Sequence, residues 1–336
     1  MSRRRDPIEQ SADESRDLYD IATWEPRTVL DRISVLLYGL MAFVARAMVI
    51  LVALGIFLAL FAQGGMALVL DEPLILALVV FSVVPALGLA WYVWRSDVTK
   101  QEPLRLLVST FMLGVLFATF AAVLNTLLFP WFTIFGVLAL PLFFFLVVGP
   151  VEETVKLLAV RLHAYRTDRF NTVVDGAVYG AFAGLGFASI ENFLYIGRVV
   201  GQTGELAILG TGGGIATIRA LAGPGHVIYS AIAGYYLGLA KFNPQNRGPI
   251  VVKGLLIAAL IHAAYNTLVG FAPEMIAAAV PGLGTFAAFV AFIIVYDGFF
   301  AYYLYRKLRR YATVYNSVGG RGGDRYPPSE PTEFDP

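Results

Sequence analysis

The stretch TIFGVLALPLFFFLVVGPVEETVKLLAV, residues 133–160, is apolar from Ile134 to Val151 and then sets two adjacent carboxylates, Glu152 and Glu153, ahead of Lys156. Lys156 follows Glu152 by four residues and Glu153 by three, so on a helix all three meet on one face. Ionisable groups at membrane depth cost several kcal/mol unless paired, and they face a bundle interior or a wet cavity. The Gly149–Pro150 pair is where so long a run is expected to bend or restart, because proline suits the first turn of a new helical segment.

The rest of the chain supports a membrane reading. Of 336 residues, 58% are hydrophobic and 15% charged, and the mean hydropathy is +0.69. A soluble domain is nearer half apolar and a quarter charged. The composition therefore specifies an all-α, polytopic integral membrane helical bundle. Windows of about twenty apolar residues predict about eight transmembrane helices. These lie near Val35–Phe61, Leu74–Trp94, Leu106–Phe129, Thr133–Val160, Val173–Ile196, Ala220–Ala240, Gly254–Ala272 and Gly284–Tyr305. The domain plan is a disordered N-terminal tail over 1–33, a transmembrane domain over 34–310 and a disordered tail over 311–336. The polar opening residues lack the apolar centre of a signal peptide, and no internal repeat is visible.

Charge predicts orientation. The tails and alternate loops that share a side hold 21 of the 25 Lys and Arg residues. Arg198 and Arg219 fall on the other side, while Arg46 and Lys156 lie within spans. The positive-inside rule then places both termini in the cytoplasm of a cell-membrane protein. The net charge of +1, with its basic residues spread among loops, gives no reason to expect a nucleic-acid partner. Absence of cysteine excludes disulfides, thiolate metal sites and a cysteine nucleophile.

Four consecutive predicted spans carry polar residues that a lipid-facing helix would not keep. They are Glu152, Glu153 and Lys156; Asp175, Glu191 and Asn192; His226 after Gly223-Pro224-Gly225, with Ser230 one turn later; and His262 with Asn266. At 1.5 Å per residue, Glu191 and His226 each lie about 10 Å from the arginine marking the outer rim. Glu153 and His262 fall near mid-membrane. Straight helices strain to bring Glu191 to Glu153, and a kink among Gly180, Gly184 and Gly186 would relieve that.

Two imidazoles and a carboxylate, His226, His262 and Glu191, match a catalytic zinc ligand set. Zinc-bound water ionises near pH 7, and Glu152 and Glu153 are placed to take its proton and deliver it to a leaving amine. Lys156 and Asn266 would support them. This suits hydrolysis of a peptide bond inside the bilayer. The residues equally allow a glutamate-activated water without metal. Each residue alone also fits a structural role: a buried Glu–Lys pair, a histidine bonded to Asn266, an Asp175 paired with Arg169 or Arg161. Isolated Asn125 and Asp297 read as packing residues, and His163 falls in a loop.

These motifs resemble the PrsW family of intramembrane proteases, distant relatives of the CAAX prenyl endopeptidases. The matching pieces are Glu152-Glu153-Thr154-Val155-Lys156, Phe187 to Glu191 with Asn192, Pro224-Gly225-His226 and His262-Ala263-Ala264-Tyr265-Asn266. Asp175-Gly176, Tyr179-Gly180 and Gly184-Leu185-Gly186-Phe187 add to them, and the likeness covers roughly Trp91 to Tyr305. It implies a multi-spanning peptidase that cuts a membrane-anchored protein substrate near the extracytoplasmic face of the lipid bilayer, in some members an anti-sigma factor during stress signalling. The CAAX enzymes carry His where Glu191 stands and Arg one residue beyond the Lys156 position, which argues against prenyl-protein processing. The alternatives from other classes are a proton-coupled transporter, since buried acids and histidines also build relays, and a catalytically inactive membrane scaffold.

Overall fold

The computed structural model describes residues 17, 26–62, 74–99, 101–203 and 214–319. Among these residues the secondary structure is entirely helical. The helices are α1 (Val29–Leu60), α2 (Leu74–Arg95), α3 (Leu104–Leu128), α4 (Ala139–Phe143), α5 (Gly149–Leu162), α6 (Val173–Thr203), α7 (Ile215–Lys241), α8 (Arg247–Leu268), α9 (Ala272–Ala279) and α10 (Thr285–Gly319). Among the described residues six helical stretches are long and apolar enough to cross a membrane: Val29–Leu60, Ile75–Arg95, Leu104–Arg166, Val173–Val200, Pro244–Leu268 and Thr285–Ser317. The chain is a multi-pass membrane bundle. The tails expected over 1–33 and 311–336 lie largely outside the described residues; α1 begins at Val29 and α10 continues to Gly319, so helix extends into both expected segments.

Two compact units divide the chain, one ending at Leu51 and the other beginning at Val52. In the first, α1 opens with reciprocal capping. The Thr28 amide and hydroxyl donate to Asp31 Oδ2, and the Asp31 amide donates back to Thr28 Oγ1, satisfying donors that a helix start leaves free. Farther along, Leu36, Met41 and Phe43 stand exposed, as suits a lipid-facing helix.

In the second unit α6 is the central helix, packed against α2, α3, α5 and α7. Small residues let its backbone approach its neighbours, the means by which helices associate in lipid. A Cβ at Gly180 would overlap the Ser230 carbonyl oxygen, and one at Gly184 would overlap that of His226. Helix α6 runs unbroken through these glycines, from Val173 to Thr203. They set how closely α7 can approach.

The 63-residue stretch Leu104–Arg166 is broken instead. Gly136 takes φ 54°, a conformation that favours glycine. A wide π-turn, Phe144–Val148, then precedes α5. The physical cause is Pro150, which has no N–H to close the usual bond to Leu146. The restart expected at Gly149–Pro150 is thus present, and it turns the first residues of α5 into the bundle. Gly149 itself admits α8, because a Cβ there would meet the Ala259 carbonyl oxygen at 2.5 Å. The sixth predicted span, Ala220–Ala240, starts earlier than expected. Helix α7 begins at Ile215 and carries Pro224 in its interior, which a membrane helix tolerates when neighbours re-satisfy the freed carbonyl.

Candidate active site

Glu152 and Glu153 occupy the first turns of α5, followed one turn later by Lys156. All three are buried. Glu153 is fully inaccessible, and its Oε1 accepts from Lys156 Nζ at 2.7 Å and faces His262 Nδ1 at 2.9 Å. Its Oε2 lies 3.4 Å from the Ser230 hydroxyl of α7. The Lys156 ammonium also reaches His226 Nδ1 at 2.9 Å and lies 4.3 Å from the centre of the Phe187 ring. Lys156 is therefore fixed from three sides. Removing either partner of such a buried pair leaves an uncompensated charge, at a cost of about 3–5 kcal/mol.

His226, from α7, has both ring nitrogens engaged. With Lys156 donating to Nδ1, the remaining proton sits on Nε2, 2.8 Å from Glu191 Oε2. Glu191 comes from α6, and the same oxygen accepts from Arg219 Nη2 at 2.6 Å. Arg219 Nε in turn donates to Asn192 Oδ1 at 2.8 Å, and the Asn192 amide donates to Ser82 Oγ at 2.9 Å. A chain of polar contacts thus runs from α2 through α6 and α7 to the Glu153–Lys156 pair.

His262, from α8, completes the cluster. With Nδ1 donating to Glu153, its Nε2 keeps a lone pair and points at Glu152 Oε2, 3.7 Å away. That oxygen is buried and has no hydrogen-bond partner. The other oxygen, Oε1, accepts from the Asn125 amide of α3 at 3.1 Å. The Tyr229 ring lies 5.7 Å from the His262 ring, and its hydroxyl donates to Asp297 Oδ1 at 2.6 Å. Asn266, one turn beyond His262, is half-buried and joins none of the cluster's hydrogen bonds.

One ligand atom each from Glu152, His226 and His262 can be chosen so that all lie within 4.8 Å of one another. Glu191 is not in that group. Two donors of the set are already poised: the orphaned Glu152 oxygen and the free Nε2 of His262, oriented by a carboxylate as metal-bound histidines commonly are. His226 joins them by a local exchange. Its proton must move to Nδ1, which requires the Lys156 ammonium, the donor now facing Nδ1, to withdraw onto Glu153, and Glu191 to release Nε2. The donor set therefore fits a metal ion.

Other expectations fare unequally. Asp175 pairs with neither Arg169 nor Arg161; its Oδ2 accepts from the Asn171 and Thr172 amides and its Oδ1 from the Thr172 hydroxyl, capping α6. Asn125, Asp297 and Arg219, which the sequence alone reads as packing or loop residues, all contact the cluster or its immediate supports. Their signal is polarity within or beside an apolar span, but nothing local separates a packing asparagine from one that holds a carboxylate.

Residues 102–297 match the family model described as PrsW family intramembrane metalloprotease. The chain is 31% identical over 194 residues to the protein named Protease PrsW from Geobacillus kaustophilus, a match covering 57% of this chain and 79% of that one. Its counterpart in Bacillus subtilis is 30% identical over 199 residues, covering 56% and 81%. The Clostridioides difficile protein is 29% identical over 194 residues, covering 57% and 78%. No solved structure matches the chain. The matched stretch begins at the loop before α3, ends at Asp297 and contains every residue of the acid–imidazole cluster, and on that ground the chain belongs to the PrsW family of intramembrane metalloproteases.

Proposed function

We propose that this intramembrane metalloprotease cuts a membrane-anchored protein within the bilayer, at the cluster of Glu152, Glu153, Lys156, Glu191, His226 and His262. Family membership displaces the transporter and scaffold alternatives. The observation that carries the site is the convergence of four helices on one buried pocket holding an unpartnered carboxylate oxygen opposite a free imidazole nitrogen. Counting the 63-residue run as two crossings and adding α7 gives eight passes, a count that supports both termini on one side, and the arginine-rich loops favour the cytoplasm for them.

The geometry supports exchanging two roles suggested by the sequence. Glu152, His226 and His262 are proposed as the ligands, and the mixed nitrogen and oxygen set suits zinc. When bound, the ion supplies a Lewis acid and a hydroxide at neutral pH. Asn125 holds Glu152 by one oxygen so that the other stays available. Glu153 orients His262, and Lys156 neutralises Glu153. Glu191 is the most accessible of the three acids, with its side chain 20% exposed. It is placed to take a proton from an entering water and return it to the leaving amine, while Arg219 fixes its orientation. Asn266, half-buried beside the imidazole, is proposed to hydrogen-bond the substrate backbone.

The test is to compare membrane-protein fragments in cells expressing the wild-type chain and the Glu152→Gln variant at equal levels. New termini within the hydrophobic segments of anchored proteins, seen with wild type alone, are the expected result. Identical fragment profiles would remove the proposal.

A further inference from the structure

A second group of carboxylates lies at the other end of α6. Asp97 follows α2, Glu102 precedes α3 and Asp175 stands in the first turn of α6. All three are buried, and one oxygen from each can be chosen so that the three lie within 4.8 Å of one another. Asp175 is sixteen residues from Glu191 on one helix, about 24 Å at 1.5 Å per residue. This group is therefore separate from the acid–imidazole cluster.

Its hydrogen bonds leave a gap. Asp97 Oδ1 accepts from the Thr99 amide at 2.9 Å and the Thr99 hydroxyl at 2.7 Å. Glu102 Oε2 accepts from Tyr179 OH. Both Asp175 oxygens take donors from Asn171 and Thr172. Asp97 Oδ2 has no partner, although Asp97 is only 7% exposed. None of the three carboxylates forms an ion pair with a described Lys, Arg or His. Three buried acids crowded together, with an orphaned oxygen and no ion-paired partner among the described residues, call for protons or a metal ion.

We propose that Asp97, Glu102 and Asp175 bind a hard divalent cation, Mg2+ or Ca2+, which ties the loop between α2 and α3 to the start of α6. An all-oxygen set suits these ions, with water completing the shell, whereas zinc sites favour nitrogen and sulfur. Gln101, Asp168 and Arg169 are exposed around the cluster, so a hydrated ion has a short path from water. The Trp94 indole donates to the Glu102 carbonyl oxygen at 3.2 Å, holding the loop in the conformation that presents its two acids.

The experiment uses the full chain in detergent, stripped with chelator, in a His262→Ala background that disables the other candidate metal site. Added millimolar Mg2+ or Ca2+ is expected to raise the Tm by several degrees in a saturable way. Asp97→Asn and Glu102→Gln should each abolish that shift, while Asp168→Asn at the exposed surface should keep it. Terbium luminescence sensitised through Trp94, and displaced by Ca2+, provides a second readout should a variant not fold. No cation-dependent shift and no displaceable terbium signal would overturn the proposal, as would an undiminished shift in both acid variants. A cluster stabilised only by lowering the pH would mean that protons fill the gap, which also overturns it.

Discussion

His262 Nδ1 lies 2.9 Å from Glu153 Oε1, and this contact decides which ring nitrogen is available for chemistry. A fully buried carboxylate accepts the proton on Nδ1, so Nε2 carries the lone pair. Nε2 is also the nitrogen that looks toward the unpartnered oxygen of Glu152. The adjacent glutamates of α5 thus face the same imidazole from two sides and do different work.

Glu153→Gln is expected to lower metal affinity by about 10–100-fold, the usual effect of losing a partner that orients a ligand. The glutamine can still face His262, but it cannot hold the Lys156 ammonium as an ion pair. Metal content of purified protein, measured across a series of chelator strengths, checks this. Unchanged retention would show that Glu153 does not orient the ligand.

Glu152 and Glu191 separate by the same assay. Glu152→Gln should abolish both metal binding and cleavage. Glu191→Gln should keep the metal while lowering kcat, because Glu191 is not one of the three ligands and is held by Arg219. The reverse pattern, metal lost only with Glu191, would restore the ligand set first suggested by the sequence.

The tight α6–α7 contact makes a stability prediction. A methyl group at Gly180 has to displace the Ser230 carbonyl, whose oxygen occupies the space it would need, and overpacking of this kind costs about 1–3 kcal/mol. Gly88 on α2 is open: a methyl group added there would meet nothing within 4 Å, so Gly88→Ala should be neutral or slightly stabilising. Thermal unfolding in detergent ranks the two. Equal effects would mean that the α6 and α7 backbones do not approach so closely.

What can be read from the chain follows from physical range. The membrane class and the restart at Gly149–Pro150 rest on local composition and on a missing N–H. Convergence of Glu153, His226 and His262 is also legible, because few polar residues in lipid have anywhere else to go. Their division of labour is not. Whether Glu152 or Glu191 joins the histidines depends on Arg219 reaching back from the start of α7 and Asn125 from α3, contacts between residues 28 and 27 positions apart. The Gly180–Gly186 series reads as a hinge because small residues both weaken helices and admit neighbours; the carbonyls of Ser230 and His226 on α7 and of Phe111 on α3 show the second use.

The buried acids at the far end of α6 set a pH response opposite to the usual carboxylate pattern. Glu102 has an ordinary value of 4.5 and is raised to about 8 by burial above all. A raised carboxyl binds more protons in the folded than in the unfolded state between those values, so its contribution to unfolding free energy falls as pH rises through the window. In chelator, the Tm of the wild type should therefore decline more from about pH 4.5 to 8 than that of Glu102→Gln, which carries no titrating carboxyl. Subtracting the two profiles removes the response of the remaining groups. Saturating Mg2+ or Ca2+ should remove the extra decline of the wild type over this window, because a cation binds the ionised carboxylates and competes with the proton. Parallel profiles for the two proteins in chelator would show that Glu102 is ionised in the fold at neutral pH.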